Sequence, residues 1–145
     1  MPVVARTDEA RTFLVVRYCD RVTTEQVLAV SADTARMMTR ETSFSTLLIF
    51  DATVDLSDFN ASVIDHIRKN RDSELASFGL RRRAGAAVVD SSVDANMVMP
   101  LWNALNEVDP NNNLHFELFK TVGPALNWLE VPATLALPVI EETER

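Results

Sequence analysis

Two short apolar segments of the chain each end in an aspartate, a residue suited to binding cations, hydrogen-bond donors or basic partners. The run 45–50 leads into Asp51, and the run 84–89 leads into Asp90. Apolar runs of this length without alternation are typical of strands buried on both faces of an α/β sheet. Because binding sites of such sheets usually lie beyond the carboxyl ends of the strands, these two positions and the loops after them mark a candidate site.

Hydroxyl and carboxyl side chains surround both aspartates. The candidates for binding a partner or ligand are Asp51, Thr53, Ser57, Asp58, Ser62, Asp90 and Ser91. The carboxylates that offer the oxygen ligands preferred by Mg²⁺ are Asp51, Asp55, Asp58, Asp90 and Asp94. The hydroxyls could also accept a phosphate at a helix N-terminus. Helix capping accounts for the same residues more simply, so we expect neither a metal site nor a cofactor.

Residues that usually act in catalysis are isolated in this sequence. His66 and His115 have no second His, Cys or Glu at ligand spacing, and Cys19 is the only cysteine. Nucleophile elbows, Gly-rich phosphate loops and Cys-x-x-Cys pairs are missing from the sequence. We therefore expect no enzymatic activity. A metal-dependent enzyme that uses the aspartates is the least favoured alternative.

Composition limits the classes of function. The 145 residues fit one domain, and the net charge of −7 argues against binding nucleic acid or an anionic membrane surface. A single cysteine excludes an internal disulfide and favours a cytoplasmic location. No signal peptide and no run of roughly 20 apolar residues that would span a membrane is visible.

Hydrophobic periodicity predicts alternating strands and helices. The predicted strands are 12–18, 46–51, 84–89 and 114–119, with a weak one at 2–5, and the predicted helices are 24–40, 58–79, 92–108 and 121–129. This order, β(β)αβαβαβα, indicates a single α/β domain with a mixed sheet of four or five strands and about four helices. The domain is expected to span 1–132, followed by a tail, 133–145, that is partly packed and then frayed.

Local signals place the helix starts. Thr23 and Gln26 form a capping box, Ser57 is the expected N-cap of the second helix, and Thr121 that of the fourth. Either Ser91 or Ser92 caps the third helix. Pro100 interrupts its pattern, so the helix either starts late or holds this proline in its first turn.

Several side chains are assigned to core or solvent from their helical positions. Arg68 is placed on the solvent-exposed face of the second helix, Trp128 in the core, and Trp102 at the edge of an apolar stripe. Gly79 is expected to stop the second helix, and 109–113 to form a turn. The basic run 81–83 is interpreted as a solvent-exposed segment that leads into the strand 84–89. Docking of an acidic partner is the alternative.

Three segments resemble the sulfate-transporter/anti-sigma-antagonist (STAS) superfamily, in particular its SpoIIAA-like group of small bacterial proteins. They are the run Leu47-Leu48-Ile49-Phe50-Asp51 followed by Phe59, the strand 84–89, and the ending in which Phe119 precedes Ala125-Leu126-Asn127-Trp128-Leu129. The resemblance covers roughly residues 10–130. It implies a STAS-like fold, with kinship to the CRAL-TRIO lipid-binding fold.

One departure from that group limits what the resemblance implies about function. Anti-sigma-factor antagonists carry an Asp-Ser-(Ser/Thr)-Gly motif at the second helix, where this chain reads Ser57-Asp58-Phe59-Asn60-Ala61-Ser62. The phosphorylation switch is therefore not carried over. The expected function is a regulatory or interaction module that binds a protein through the second helix and the loops after Asp51 and Asp90. A carrier of a small lipid or acid is the alternative, and a homodimer is compatible with either.

Overall fold

The computed structural model describes residues 2–38, 43–77, 81–89, 92–108 and 116–144. The strands are β1 (Val3–Thr7), β2 (Phe13–Tyr18), β3 (Ser43–Phe50), β4 (Arg81–Val88) and β5 (Glu117–Phe119). The helices are α1 (Thr24–Met37), α2 (Ala61–Ser77), α3 (Val93–Glu107), α4 (Val122–Leu129) and α5 (Ala133–Glu142). The predicted α/β class is confirmed, with one helix more than expected.

The five strands form one mixed sheet whose spatial order follows the chain, β1-β2-β3-β4-β5. β1 runs antiparallel to β2 through the pairs Val3–Tyr18 and Thr7–Leu14, which confirms the weak first strand. All later neighbours are parallel. Since the order never reverses, the described sheet has no switch point of the kind that opens a ligand crevice in doubly wound folds.

The sheet is covered on both faces, and alternate residues of each strand point to opposite cores. Leu14, Val16 and Leu48 pack with the residues of α1, α2 and α3 in one cluster. Phe13 and Val15 pack with the residues of α4 and α5 in the other. Because the central strands are buried on both faces, their sequences are uninterrupted apolar runs.

Two helix starts agree with their sequence signals. At α1 the Gln26 backbone N–H donates to Thr23 Oγ1 over 3.2 Å, and the Thr23 N–H donates to Gln26 Oε1 over 2.8 Å. This geometry confirms the capping box. At α3 the buried Ser92 hydroxyl accepts from the Ala95 N–H at 3.0 Å, so Ser92 is the cap.

Two other helix starts differ from expectation. Helix α2 begins at Ala61, and Asn60 Oδ1 accepts from the Val63 N–H at 3.0 Å, as an N-cap does. The expectation that Ser57 caps this helix is wrong, because the chain makes a further turn before the helix forms. Thr121 does occupy the N-cap position of α4, but its side chain makes no capping hydrogen bond.

Three side chains lie where the helical pattern did not place them. Arg68 is 2% exposed rather than on the solvent-exposed face, since it follows the buried Ile64 by one helical turn. Trp102 is buried and meets Phe116 edge to face, with ring centroids 6.0 Å apart. Trp128, expected in the core, is 46% exposed because Ala125, Leu126 and Leu129 take the buried face of α4.

The expected tail is a helix. Ala136, Val139, Ile140 and Thr143 follow each other at helical spacing and are buried against the sheet, so the prediction of fraying is wrong up to residue 144. Pro138 lies inside α5 and Pro100 inside α3, well past the first turn in both cases. Each proline removes one backbone donor without ending its helix. The predicted stop at Gly79 and the turn 109–113 lie outside the described residues.

Candidate functional site

The site predicted at the carboxyl ends of the strands centres on residues 51–60, called here the rim loop. It connects β3 to α2 and contains Asp51, Thr53, Ser57 and Asp58, while Ser62 lies in the first turn of α2. The structure thus brings five of the seven candidate residues into one short stretch. The other two, Asp90 and Ser91, lie outside the described residues.

Backbone hydrogen bonds hold the first half of the rim loop against the segment that follows β2. The Asp55 N–H donates to the Asp20 carbonyl at 2.7 Å, and the Val22 N–H donates to the Asp55 carbonyl at 3.1 Å. Together they form an isolated parallel bridge between Arg21 and Asp55. The pairing of β2 with β3 is therefore resumed beyond the ends of both strands, and it fixes the path of the loop.

Helix α3 fixes the second half of the rim loop. Asp94 Oδ2 accepts a hydrogen bond from the Leu56 N–H at 2.7 Å. Asp94 was expected to complement only its own helix N-terminus, and this contact across 38 positions of the chain has no local sequence signal. Because charged acceptors make stronger hydrogen bonds, the contact ties α3 firmly to the loop.

Asp51 is engaged by an arginine of the neighbouring strand. Arg17 Nη1 lies 2.5 Å from Asp51 Oδ1, and Arg17 Nη2 lies 3.2 Å from Glu144 Oε1. Arg17 Nε also donates to Thr143 Oγ1 at 3.0 Å. Sequence reasoning missed Arg17, Thr143 and Glu144. The available signal was a charged residue inside the otherwise apolar run of β2.

The remaining rim carboxylates have separate partners. Asp58 pairs with Arg21 at 3.2 Å, and both side chains are well exposed. The pKa of Asp55 is lowered, first by hydrogen bonds from the Ser57 hydroxyl and backbone N–H and then by the charge of Arg21. Across the described segments, no three His, Cys, Asp or Glu side chains are grouped so that they could share a metal ion.

The outer surface of the rim loop is formed by small polar residues. The exposed positions of this surface are Ala52, Thr53, Ser57, Asp58, Asn60, Ala61 and Ser62. The loop backbone is held by the contacts above, whereas the side chains of Thr53 and Ser62 are exposed. A rigid loop with such side chains can offer hydrogen-bond donors and acceptors to another molecule.

Two further candidates considered from the sequence, Cys19 and His66, lie outside the rim loop in the described part of the chain. Cys19 is half-buried, and its pKa is raised by burial and by the nearby negative charges of Asp20 and Asp51. A raised pKa disfavours the thiolate, which is the reactive form. His66 is exposed on α2. His115 lies outside the described residues, as do the side chains of the basic run 81–83.

A small apolar cavity lies beneath the rim, between the sheet and helices α2 and α3. Its volume is about 40 Å³, and its lining includes Tyr18, Phe50, Ile67, Met99 and Trp102. Arg71 lines this cavity and also a second one of about 30 Å³. The guanidinium of Arg71 lies over the ring of Trp102, 5.4 Å from its centroid, and donates to Ser31 Oγ at 3.3 Å.

Comparison with known proteins assigns no family to this arrangement. No protein-family model matches the chain, and a search of curated proteins gives no match. The STAS-like resemblance therefore stays a prediction. None of the helices in the described part of the chain combines the length and the apolar character needed to cross a membrane.

Proposed function

We propose that this chain is a non-enzymatic regulatory module that binds a partner protein through the rim loop and the start of α2. The observation that carries the proposal is a contrast within the loop. Its backbone is held by Asp20 and by Asp94, yet the side chain of Thr53 is exposed, as is that of Ser62 in the adjoining first turn of α2. Binding costs less when the loop is already ordered, because little conformational entropy is lost.

The chemistry of the exposed surface suits recognition better than reaction. It presents hydroxyls, an amide and one carboxylate, and Asp55, which accepts a hydrogen bond from the Ser57 hydroxyl, is a weak base because its pKa is lowered. A STAS-like identity agrees with this proposal, since the group implied by the resemblance docks partners near the same helix. The missing phosphorylation motif means that the proposal includes no phosphorylation switch. A cytoplasmic location is part of the proposal, because Cys19 is the only cysteine.

Site-specific photocrosslinking in cells of the source organism tests this function. A photoreactive amino acid replaces Thr53 or Ser62 in the proposed surface, and Ala29 on the exposed side of α1 as a matched control. We expect Thr53 and Ser62 to trap the same partner protein, identified by mass spectrometry, and Ala29 not to trap it. Ser62→Arg, which adds bulk and charge, should abolish the crosslink formed at position 53.

Two results would contradict the proposal. One is an identical set of crosslinked proteins from all three positions. The other is a crosslink at Thr53 that persists in full when Ser62 is replaced by arginine. Circular dichroism of each variant would show that the fold is kept, so that a lost crosslink reports the surface and not unfolding.

A second candidate function is a carrier of a small apolar acid, and the cavity beneath the rim is the observation in its favour. Arg71 borders this cavity, and its guanidinium contacts the Trp102 ring and the Ser31 hydroxyl. A ligand carboxylate could pair with that guanidinium. The volume of about 40 Å³ is far below the roughly 150 Å³ that admits benzene, so the cavity would have to enlarge on binding.

Titration with decanoate and with decanol, followed by the fluorescence of Trp102 in a Trp128→Phe background, tests the carrier function. If the acid binds in the cavity, Arg71→Gln should weaken binding of decanoate and leave decanol unaffected. Arg36→Gln, which changes an exposed arginine of α1, is the matched control. A chain that binds neither probe is not a carrier of this class.

A further inference from the structure

Helix α3 carries a continuous apolar stripe on its outer side. Val93 is 73% exposed, Met97 70% and Val108 79%. Pro100 and Ala104, also exposed, fill the positions between them. The spacing of four, three, four and four residues keeps all five on one narrow face of the helix, opposite the buried Ala95, Met99 and Trp102.

This stripe contrasts with the charge of the whole chain. The chain carries a net charge of −7, but α3 contains only two charged residues, Asp94 and Glu107, one near each end. Asp94 is already bonded to the rim loop. The middle of the helix therefore offers an apolar and uncharged contact surface on an acidic protein. Exposed apolar patches of this kind mark interaction sites more often than scattered surface residues do.

The order of side chains along the stripe is nearly symmetric about the midpoint between Pro100 and Leu101. Val93 and Val108 are equally far from that midpoint, and so are Met97 and Ala104. When two copies of such a helix pair antiparallel about a two-fold axis, Val93 meets Val108 of the second copy. Met97, a long side chain, then meets the small Ala104. A two-fold interface requires this self-complementarity.

From these observations we propose that the α3 stripe is a homodimer interface, in which two copies of this chain pair their α3 helices antiparallel. The uncharged stripe is the surface on which two acidic chains can approach with least repulsion. A strongly basic or acidic partner would find no opposite charge in the middle of the stripe, between Met97 and Ala104. The inference does not depend on the proposed function of the rim loop.

The size of the stripe sets the strength of the expected dimer. A helix of 15 residues is roughly 22 Å long, so one pair of helices buries less than the roughly 800 Å² per partner of a standard interface. We therefore expect a dimer that dissociates in the micromolar range. Its stability should rise with salt, because screening weakens the repulsion between two negatively charged chains. Binding of a basic partner would instead weaken as the salt concentration rises.

Sedimentation equilibrium with two single variants and their combination tests both the surface and its direction. Met97→Glu alone and Ala104→Lys alone should each raise the dimer dissociation constant at least about tenfold, because each buries an unpaired charge. In an antiparallel pair the double variant M97E/A104K places each new carboxylate beside a new ammonium. The double variant should therefore dimerise more tightly than either single variant. In a parallel pair it would bring like charges together and dimerise least.

A matched control and three outcomes decide the question. Ala29→Glu adds one negative charge to an exposed position of α1 and should leave dimerisation unchanged. A wild-type chain that is monomeric at about 1 mM protein, in both about 0.05 M and about 0.5 M NaCl, overturns the proposal. A dimer that neither single variant weakens places the interface elsewhere. A double variant weaker than both single variants overturns the antiparallel arrangement.

Discussion

Arg17 on β2 forms an ion pair with Asp51, the residue that directly follows the adjacent parallel strand β3, with Arg17 Nη1 2.5 Å from Asp51 Oδ1, and Arg17 also holds the end of α5 through Thr143 and Glu144. The Arg17 side chain is only 14% exposed, so water competes weakly for these contacts. One guanidinium therefore links the start of the rim loop to a helix that follows it by more than 80 residues.

Replacing Arg17 by methionine should lower the free energy of unfolding by about 1–3 kcal/mol, the usual worth of hydrogen bonds to a charged group. Methionine keeps most of the buried stem and removes only the polar contacts. Urea denaturation measures the change, and hydrogen exchange should show faster exchange in α5. Arg36→Met is the control: its ion pair with Asp33 is 68% exposed on both sides, so stability should hardly change. Equal losses in the two variants would contradict the prediction.

Asn103 should be the most sensitive asparagine among those in the described helices. It is buried in α3, donates to the Phe116 carbonyl at 2.7 Å and accepts from the Phe116 N–H at 3.0 Å. Asn103→Ala removes both of these buried hydrogen bonds, and we predict a loss of about 1–3 kcal/mol in urea denaturation. The control Asn127→Ala changes an exposed side chain of α4. An Asn103→Ala variant as stable as that control would show that Phe116 finds other partners.

The two helix caps Ser92 and Thr121 should respond differently to the same kind of substitution. Ser92→Ala removes a hydroxyl that accepts from the Ala95 N–H, and we predict a loss of about 1 kcal/mol. Thr121→Ala should cost clearly less, because the threonine side chain makes no capping hydrogen bond. Thermal or urea unfolding of the two variants under one set of conditions measures the difference. If Thr121→Ala lost more stability than Ser92→Ala, the conclusion that Ser92 caps its helix more strongly than Thr121 would be wrong.

Asp8 should make stability depend on pH in the acid range. Burial raises its pKa, but hydrogen bonds from the Phe13 and Thr12 backbone N–H groups and from the Thr12 hydroxyl outweigh this, so the pKa lies below its ordinary value. A carboxylate whose pKa is lowered in the folded state stabilises the fold. Its contribution is complete at pH values above its unfolded pKa, about 4, and is lost as the pH falls below that value. Asp8→Asn should therefore lose less stability than wild type between about pH 5 and about pH 3. If urea denaturation shows that wild type and Asp8→Asn lose equal free energy of unfolding over this pH range, the prediction is wrong.

Much of the fold could be predicted because its signals are local. Strand β2, most of β3 and the second half of β4 are short apolar segments buried on both faces, and the capping box at Thr23 needs only four consecutive residues. Helix α5 was missed although Ala136, Val139, Ile140 and Thr143 repeat at helical spacing. Its two prolines suggested an irregular tail, but Pro132 precedes the helix and only Pro138 lies inside it.

The rim loop could be placed from the sequence, but its internal contacts could not. The position of the rim loop follows from strand β3, a local feature. The contact of Asp94 with Leu56 and that of Arg17 with Glu144 join residues far apart in the chain, and no periodicity encodes them. Arg68 was misplaced for a different reason, since arginine is rarely buried; its partner Asp65, 2.8 Å away and three positions earlier on α2, is local and was visible in the sequence.

The agreement between chain order and sheet order has a consequence for synthesis on the ribosome. Each new strand of this sheet can add to a neighbour that has already been made. One face is covered as α1, α2 and α3 emerge between the strands. In the described part of the chain the opposite face, with Phe13, Val15 and Leu47, is covered by α4 and α5, which are made last. A nascent chain that ends before residue 122 therefore exposes a complete apolar sheet surface, the kind of surface that chaperones bind and that aggregates when left bare.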